Sequence, residues 1–235
     1  MINALRTTFI PQNNKREYYI TNGVDKDFQQ SVFRAVKNME NFSSKSHKAV
    51  SKLQNVIILK NSDSFIPDSF SKTRNKLQTL AQDAYGFVSK SDNAIVINEN
   101  NHLRKDCSFE GSLSEQASDT LTHEVGHLMD EEFSTSDSFK NAYLKDLKNI
   151  EKLQKEKQDI LGENIDEMIS YFKHYMEGVD FSDGIDEKDI TREGLRENFA
   201  ECFSTIADSS PSKVNSIFSS LFPNTMKETY RFVIQ

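Results

Sequence analysis

The residues best suited to chemistry lie at positions 123–127, where the chain reads His-Glu-Val-Gly-His. His123 and His127 are four residues apart, so on an α-helix they project from one face and can bind one metal ion together. Glu124 follows the first histidine, close enough to hold a water molecule at that ion without taking a ligand position. A zinc peptidase needs this set, because two imidazoles hold Zn²⁺ while a carboxylate takes a proton from the water. The motif therefore predicts a zinc metalloprotease.

The residues around the motif help to decide between a metal site and a surface helix with two unrelated histidines. A chance match is expected in about one of a hundred chains of this length. A helical projection places an apolar stripe opposite the histidines, formed by Leu121, Val125, Leu128 and Met129. Gly126 lies near the histidine face, and a glycine inside a helix commonly marks close approach by another group. The pattern favours a half-buried helix whose histidine face is turned towards a cavity.

A catalytic zinc site needs a third protein ligand and an open fourth position. Phe133 occupies the position of the third histidine in the metzincin pattern, so we expect a carboxylate ligand instead. Glu197 and Glu201 are four residues apart, and the opposite helical face of their segment carries Phe199, Phe203 and Ile206. We assign Glu197 to the zinc ion and Glu201 to the free N–H of a ligand histidine. The alternative is an ordinary solvated pair of glutamates.

Two segments of the sequence resemble the catalytic domain of the anthrax lethal factor family, which includes the secreted clostridial Pro-Pro endopeptidases. They are HEVGHLMD at 123–130 and ENFAECF at 197–203. In this resemblance Asp130 matches the aspartate three residues beyond the second histidine, and Glu197 matches the third ligand. Residues 222–234 are similar to the closing helix of these domains. The resemblance implies a zincin fold, one Zn²⁺ per chain, endopeptidase activity, and secretion or delivery into a host cell as a toxin or effector.

The resemblance also concerns the group that stabilises the developing oxyanion. The family places a tyrosine seven residues before the ligand glutamate, and this chain has Ile190 there. Oxyanion stabilisation is commonly the largest single contribution to acyl-group hydrolysis, so another donor is needed. Tyr171, His174 and Tyr175 are candidates from a different part of the chain, although aromatic packing on a helix surface explains each one alone better.

The composition is that of a compact domain. With 235 residues, of which 36% are apolar, the chain can bury one good core. A net charge of −7 gives no reason to expect nucleic acid or an anionic membrane as partner. No segment approaches the roughly 20 apolar residues of a membrane-spanning helix, and the opening residues lack the apolar region of a signal peptide. We expect a monomer in which Cys107 and Cys202 form at most one disulfide, with Cys202 buried as a small hydrophobic residue.

The fold class that these observations and the resemblance predict is α+β and zincin-like, with a small mixed sheet over the metal helix and a mostly helical C-terminal part. An N-terminal lead covers 1–24 and a single catalytic domain covers 25–235, with a helical insertion at about 134–190. The predicted helices are 25–39 with Asp25 as N-cap, 71–84, 114–130, 137–161 and 164–177. The predicted strands are 17–21, 55–60, 85–88 and 93–97, and 178–189 is an acidic loop. Ser114 forms no capping box, so the start of the metal helix is left open.

The sheet edge is where the resemblance places the substrate. In zincins the last strand before the metal helix lies at the edge above the cleft, and its free backbone groups bind an extended peptide as an added strand. We expect residues 94–98 to be this edge strand.

The function predicted from the sequence is a zinc-dependent endopeptidase that hydrolyses peptide bonds in a protein substrate. Ile190, in place of the family's tyrosine, leaves open a zinc-binding interaction module with impaired catalysis. A third interpretation is a helical interaction protein whose histidines are structural. No residue selects a particular substrate or cleavage sequence.

Overall fold

A computed structural model describes residues 5–7, 16–61, 64, 66, 68–79, 84–102, 112–130, 133–181, 184–208 and 212–235. The chain is mixed α+β with a small mixed sheet, as predicted. Its internal contacts divide it into two units, Met1–Leu128 and Met129–Gln235. Among the described residues, none of the helices is both long and apolar enough to cross a membrane.

The first unit contains a five-stranded sheet and the helices that precede and follow its strands. In chain order its elements are β1 (Leu5–Thr7), β2 (Glu17–Ile20), α1 (Lys26–Phe42), α2 (Ser44–Ser51), β3 (Asn55–Leu59), α3 (Ser71–Thr79), β4 (Gly86–Ser89), β5 (Ala94–Asn98), α4 (Glu99–His102) and α5 (Leu113–Met129). A 3₁₀ helix, Asp68–Phe70, precedes α3. Strand β2 falls within the predicted N-terminal lead and is hydrogen-bonded to β3 in parallel.

Local sequence signals account for the start of α1 and for β3. The side chain of Asp25 accepts hydrogen bonds from the backbone N–H groups of Asp27 and Phe28 at 2.8 and 3.1 Å, so the predicted N-cap is confirmed. Phe28 and the other apolar residues at helical spacing are buried on one face of α1. The predicted strand at 55–60 forms β3 and buries its residues from Val56 to Leu59.

The prediction that residues 94–98 form an edge strand is wrong. The sheet order is β1-β2-β3-β5-β4, and β5 pairs in parallel with β3 and antiparallel with β4. A turn through Asn93, whose φ is 46°, folds β4 back along β5. The Asp92 carboxylate holds this turn by accepting hydrogen bonds from the hydroxyls of Ser89 and Thr73. All five residues of β5 are therefore buried, and β4 is the edge on that side among the described strands.

Lys76 of α3 covers part of the β4 edge. Asn98 donates a backbone hydrogen bond to Tyr85, and in an antiparallel pair every second residue of a strand makes such bonds to its neighbour. Val88, three residues after Tyr85, is therefore not hydrogen-bonded to β5, and its carbonyl points away from that strand. The Lys76 ammonium donates to this carbonyl at 2.9 Å and lies 4.9 Å from the centre of the Phe87 ring. A lysine on an exposed strand edge is a common way to limit unwanted strand pairing.

The metal helix α5 begins with a capping box that the sequence analysis missed. Ser112 accepts from the N–H of Glu115 at 3.4 Å, and Glu115 accepts from the N–H of Ser112 at 2.6 Å. The predicted start at Ser114 lies two residues beyond this cap, although the Ser-x-x-Glu spacing at 112–115 is the usual sequence signature of a capping box.

The second unit is mainly helical. Its elements are α6 (Asp137–Lys155), β6 (Asp159–Ile160), β7 (Glu163–Asn164), α7 (Ile165–Tyr171), α8 (Arg192–Ala207), α9 (Lys213–Leu221) and α10 (Pro223–Ile234), with 3₁₀ helices at Phe133–Thr135, Lys173–Met176 and Glu187–Asp189. The helix predicted over 137–161 ends at Lys155, because Lys157 and Leu161 adopt positive φ and the chain turns into the β6–β7 hairpin. The helix predicted over 164–177 divides into α7 and a 3₁₀ turn.

Aromatic residues form the core around α8. Phe133 stacks on Phe232 with ring centroids 4.2 Å apart, and it also contacts Phe139 and Phe199. Phe133 stands where a metzincin would place its third histidine, and here it belongs to this aromatic cluster. The ring of Phe199, on α8, is fully buried.

A buried carboxylate fixes the start of α10. Asp146 of α6 is fully buried and accepts hydrogen bonds from the backbone N–H groups of Asn224 and Thr225, at 3.1 and 2.8 Å, and from both of their side chains. Asp146 therefore acts as the cap that the N-terminal residue Phe222 does not supply. Burial raises the pKa of Asp146, and these hydrogen bonds oppose the shift.

We expect Asp146→Ala to lower the free energy of unfolding by about 3 kcal/mol, because it leaves buried donors at the start of α10 unsatisfied. Asp146→Asn is expected to lose less, since its amide oxygen still accepts. Urea unfolding of both variants at neutral pH measures the difference. Equal stability of Asp146→Ala and the wild type would contradict the capping role.

Candidate metal centre

Helix α5 presents its histidines as the spacing predicts. The rings of His123 and His127 lie with centroids 4.8 Å apart on the same face of the helix. His127 and Glu124 are buried, with exposed fractions of 8% and 6%, and His123 is half-buried. On the apolar side, Leu121 and Val125 are fully buried. Of the predicted apolar stripe, Leu121, Val125 and Met129 are therefore buried and Leu128 is half-buried.

Helix α8 presents Glu197. The helix starts at Thr191, whose hydroxyl oxygen accepts the N–H of Gly194 at 3.0 Å. Phe199 and Phe203 pack into the core, as predicted from their spacing. Glu197 is itself 8% exposed, which is a low exposure for a carboxylate.

His123, His127 and Glu197 form a group that can hold a metal ion. Each offers one ligand atom, and these three atoms all lie within 4.8 Å of one another. Two imidazoles and one carboxylate are a donor set of the His₂Glu type that binds catalytic zinc with one position left open. Because the side chains bring together borderline nitrogen donors and a hard oxygen, the set also fits other divalent first-row metals.

His174 contacts the ligand carboxylate. Its Nε2 lies 3.1 Å from Oε2 of Glu197, and since a carboxylate only accepts, the ring N–H is the donor. The side chain of His174 is 63% exposed, whereas that of Glu197 is 10% exposed. His174 therefore places a solvent-facing imidazole directly beside a proposed metal ligand.

Tyr175 is engaged with the second glutamate of α8. Its hydroxyl hydrogen-bonds to Glu201, and burial together with this bond raises the pKa of Tyr175 well above its usual value. The Tyr175 ring packs against Phe218 and Phe172. The predicted hydrogen bond from a ligand histidine to Glu201 stays a prediction.

Asp130 connects the end of the metal helix to α8. Its carboxylate accepts the N–H and the hydroxyl of Ser134 at 3.0 and 2.7 Å, and it lies 3.7 Å from Nε of Arg196. Asp130 is three residues beyond His127, and Arg196 immediately precedes Glu197. The aspartate that the sequence analysis identified only through a resemblance thus ties the segments next to two proposed ligands.

The other residues considered from the sequence have local roles. Tyr171 is half-buried against Phe172, and Ile190 is half-buried at the end of the 3₁₀ helix Glu187–Asp189. Cys202 is fully buried, forms no disulfide, and is hydrogen-bonded to the side chains of Asn198 and Thr225. Burial raises the pKa of the Cys202 thiol far above its usual range. It is therefore a buried core residue, as predicted, and Cys107 lies outside the described residues.

Comparisons of the chain with family models, with curated proteins and with solved structures give no match. The relationship suggested by the two motifs accordingly stays a prediction.

We expect Glu197→Ala to lower zinc affinity by more than about 100-fold, because it removes a ligand, and Glu201→Ala to lower it less, by about 10- to 100-fold at most. Competition with a chromophoric chelator measures both affinities, and circular dichroism checks that each variant is folded. The reverse order would transfer the ligand role to Glu201.

Proposed function

We propose that the chain is a zinc-dependent endopeptidase with a zincin-like fold. The observation that carries the proposal is the grouping of His123, His127 and Glu197, with Glu124 on the same helix immediately after the first histidine. A bound Zn²⁺ supplies Lewis acidity, which lowers the pKa of a water molecule and polarises the scissile carbonyl. Zinc is proposed over other divalent ions because two imidazoles and one carboxylate are its usual ligands in hydrolases.

The residues of the site take distinct roles in this proposal. His123, His127 and Glu197 would hold the ion, and a set of three protein ligands would leave room for water or substrate. Glu124 accepts the proton of the attacking water and delivers it to the departing amine nitrogen. Its low exposure keeps bulk water away from the carboxylate, which favours proton exchange with the substrate.

We assign the hydrogen bond to the developing oxyanion to His174. The hydroxyl of Tyr175 is occupied by Glu201, and the ring of Tyr171 packs against Phe172. His174 combines an exposed ring with a polar contact to a proposed ligand. An exposed imidazole can turn its N–H from Glu197 to a substrate oxygen as negative charge develops there.

The substrate is proposed to be a protein segment bound in extended form along β4, which replaces 94–98 in this role. Strand β4 adjoins the metal helix, since a Cβ atom at Gly86 would lie 2.8 Å from Cγ2 of Thr120 on α5. Backbone groups at a strand edge bind an extended peptide as an additional strand. The secreted or host-delivered location proposed for the enzyme rests on the motif resemblance alone.

The second candidate function is a zinc-binding interaction module without catalysis. This alternative is suggested by Ile190, which stands at the position of the family's tyrosine and cannot donate a hydrogen bond. The proposed role of His174 distinguishes the two functions, because a protein that binds zinc without catalysis does not require an oxyanion donor.

We expect Glu124→Gln to lower peptide cleavage by about 10²- to 10⁴-fold while zinc content stays near one per chain, since the general base is lost and the ligands are kept. Sequencing of new N-termini in a proteome-derived peptide library measures cleavage, and elemental analysis measures zinc. Full activity of Glu124→Gln would exclude Glu124 as the base. Absence of cleavage by fully metallated wild type would favour the interaction module.

We expect His174→Ala to lower kcat by about 10²-fold with KM and zinc content nearly unchanged, because an oxyanion donor acts mainly in the transition state. His174→Gln, which keeps an N–H donor, is expected to recover part of the loss. An unchanged kcat, or loss of zinc instead of kcat, would remove His174 from this role.

A further inference from the structure

His102 lies at the end of α4 and reaches the metal helix. It is buried, and its Nδ1 lies 2.7 Å from the carbonyl oxygen of Asn98, the last residue of β5. Its Nε2 lies 2.9 Å from the hydroxyl oxygen of Thr120 on α5. Because a carbonyl only accepts, Nδ1 carries the proton, and in the neutral ring Nε2 accepts from the Thr120 hydroxyl.

The His102 ring is fixed between aromatic neighbours. Phe28 and Tyr85 both meet it edge to face, with ring centroids 5.2 and 4.9 Å away. These contacts hold the ring plane, so both ring nitrogens keep their directions. The side chain is thus a rigid link from the end of a central strand to the middle of α5.

Thr120 is held from a second direction by β4. A Cβ atom at Gly86 would lie 2.8 Å from Cγ2 of Thr120, so the absence of a side chain there lets strand and helix approach closely. The hydroxyl of Thr120 faces His102 while its methyl group faces Gly86. Two contacts on one side chain fix both the rotation of α5 and its distance from the sheet.

The position of Thr120 along α5 makes this link relevant to the metal centre. His123, Glu124 and His127 are three, four and seven residues further on, which places them on the same side of the helix. A side-chain atom about 6 Å from the helix axis moves about 1 Å for each 10° of rotation. Metal–ligand distances tolerate only about 0.2 Å.

We propose that His102 is a positioning residue for the metal centre and acts through Thr120. By fixing the rotation of α5, it sets where the two ligand imidazoles and the Glu124 carboxylate lie. The proposal rests on the metal-binding part of the proposed function and is independent of whether the chain cleaves peptides.

The test compares two threonines of the same helix. Thr120→Val keeps the shape of the side chain and removes the hydroxyl that bonds to His102. Thr122→Val is the control on the same helix, because Thr122 is buried and its hydroxyl donates within the helix to the carbonyl of Ser118, whereas Thr120 is half-buried. We expect Thr120→Val to lower Zn²⁺ affinity by about 10- to 100-fold, and Thr122→Val to change it less than about threefold.

A second pair of measurements separates positioning from general stability. His102→Phe keeps a ring between Phe28 and Tyr85 and removes both hydrogen bonds, so we expect the same loss of Zn²⁺ affinity as for Thr120→Val. The double variant should lose no more than either single variant, since both changes break one link. Melting of the metal-free proteins shows whether each variant is folded before Zn²⁺ is titrated against a chelator.

Wild-type Zn²⁺ affinity in folded Thr120→Val or His102→Phe, or an equal loss in Thr122→Val, would overturn the positioning role and leave the proposed endopeptidase unaffected. Zinc binding without peptide cleavage by the wild type would overturn the enzyme and leave the positioning role supported. Failure of the wild type itself to bind zinc would overturn both.

Discussion

The buried negative charge of Glu197 is the constraint on which the site depends. A carboxylate with so little exposure is costly unless cations or hydrogen-bond donors compensate it. One donor comes from His174, and the two α5 imidazoles have ligand atoms within 4.8 Å of the carboxylate's own. A divalent ion held by all three residues would bring positive charge directly to this carboxylate. The three residues therefore form a group that could hold a metal ion, and such an ion would add to the compensation of this carboxylate.

The second unit supports this carboxylate with packing and with charge. Phe199 and its aromatic neighbours bury the far side of α8, while Arg196 pairs with Asp130 next to the ligand. Asp146 caps α10, which packs against α6 and α8. A ligand on a helix that is held on several sides loses little conformational entropy when it binds, which favours high metal affinity.

Features encoded by residues close in sequence could be predicted, and features that depend on distant pairing could not. The His123–His127 spacing, the Asp25 cap and the apolar run of β3 are local patterns, and the structure agrees with them. The Ser112–Glu115 capping box was equally local and was overlooked. The parallel pairing of β5 with β3 joins distant residues and could not be predicted, whereas the turn residues 91–93 between the predicted strands 85–88 and 93–97 were a local sign, not used, that β4 would pair with β5. The hydrogen bond between His102 and Thr120 joins residues 18 positions apart in the sequence, so helical or strand periodicity could not predict it. The peptidase activity and the family relationship stay predictions.

The lysine beside β4 bears on which strands could pair with that edge. An uncovered strand edge attracts any other strand, including the same strand of a second molecule. The Lys76 ammonium is hydrogen-bonded to the carbonyl of Val88 on this edge. If the β4 edges of two molecules paired, their Lys76 ammonium groups would come close together, and both Lys76–Val88 hydrogen bonds would be lost. An incoming segment with an acidic side chain can instead replace the displaced carbonyl as the partner of the ammonium. The same lysine would therefore disfavour pairing between two such edges and favour an incoming strand that carries negative charge.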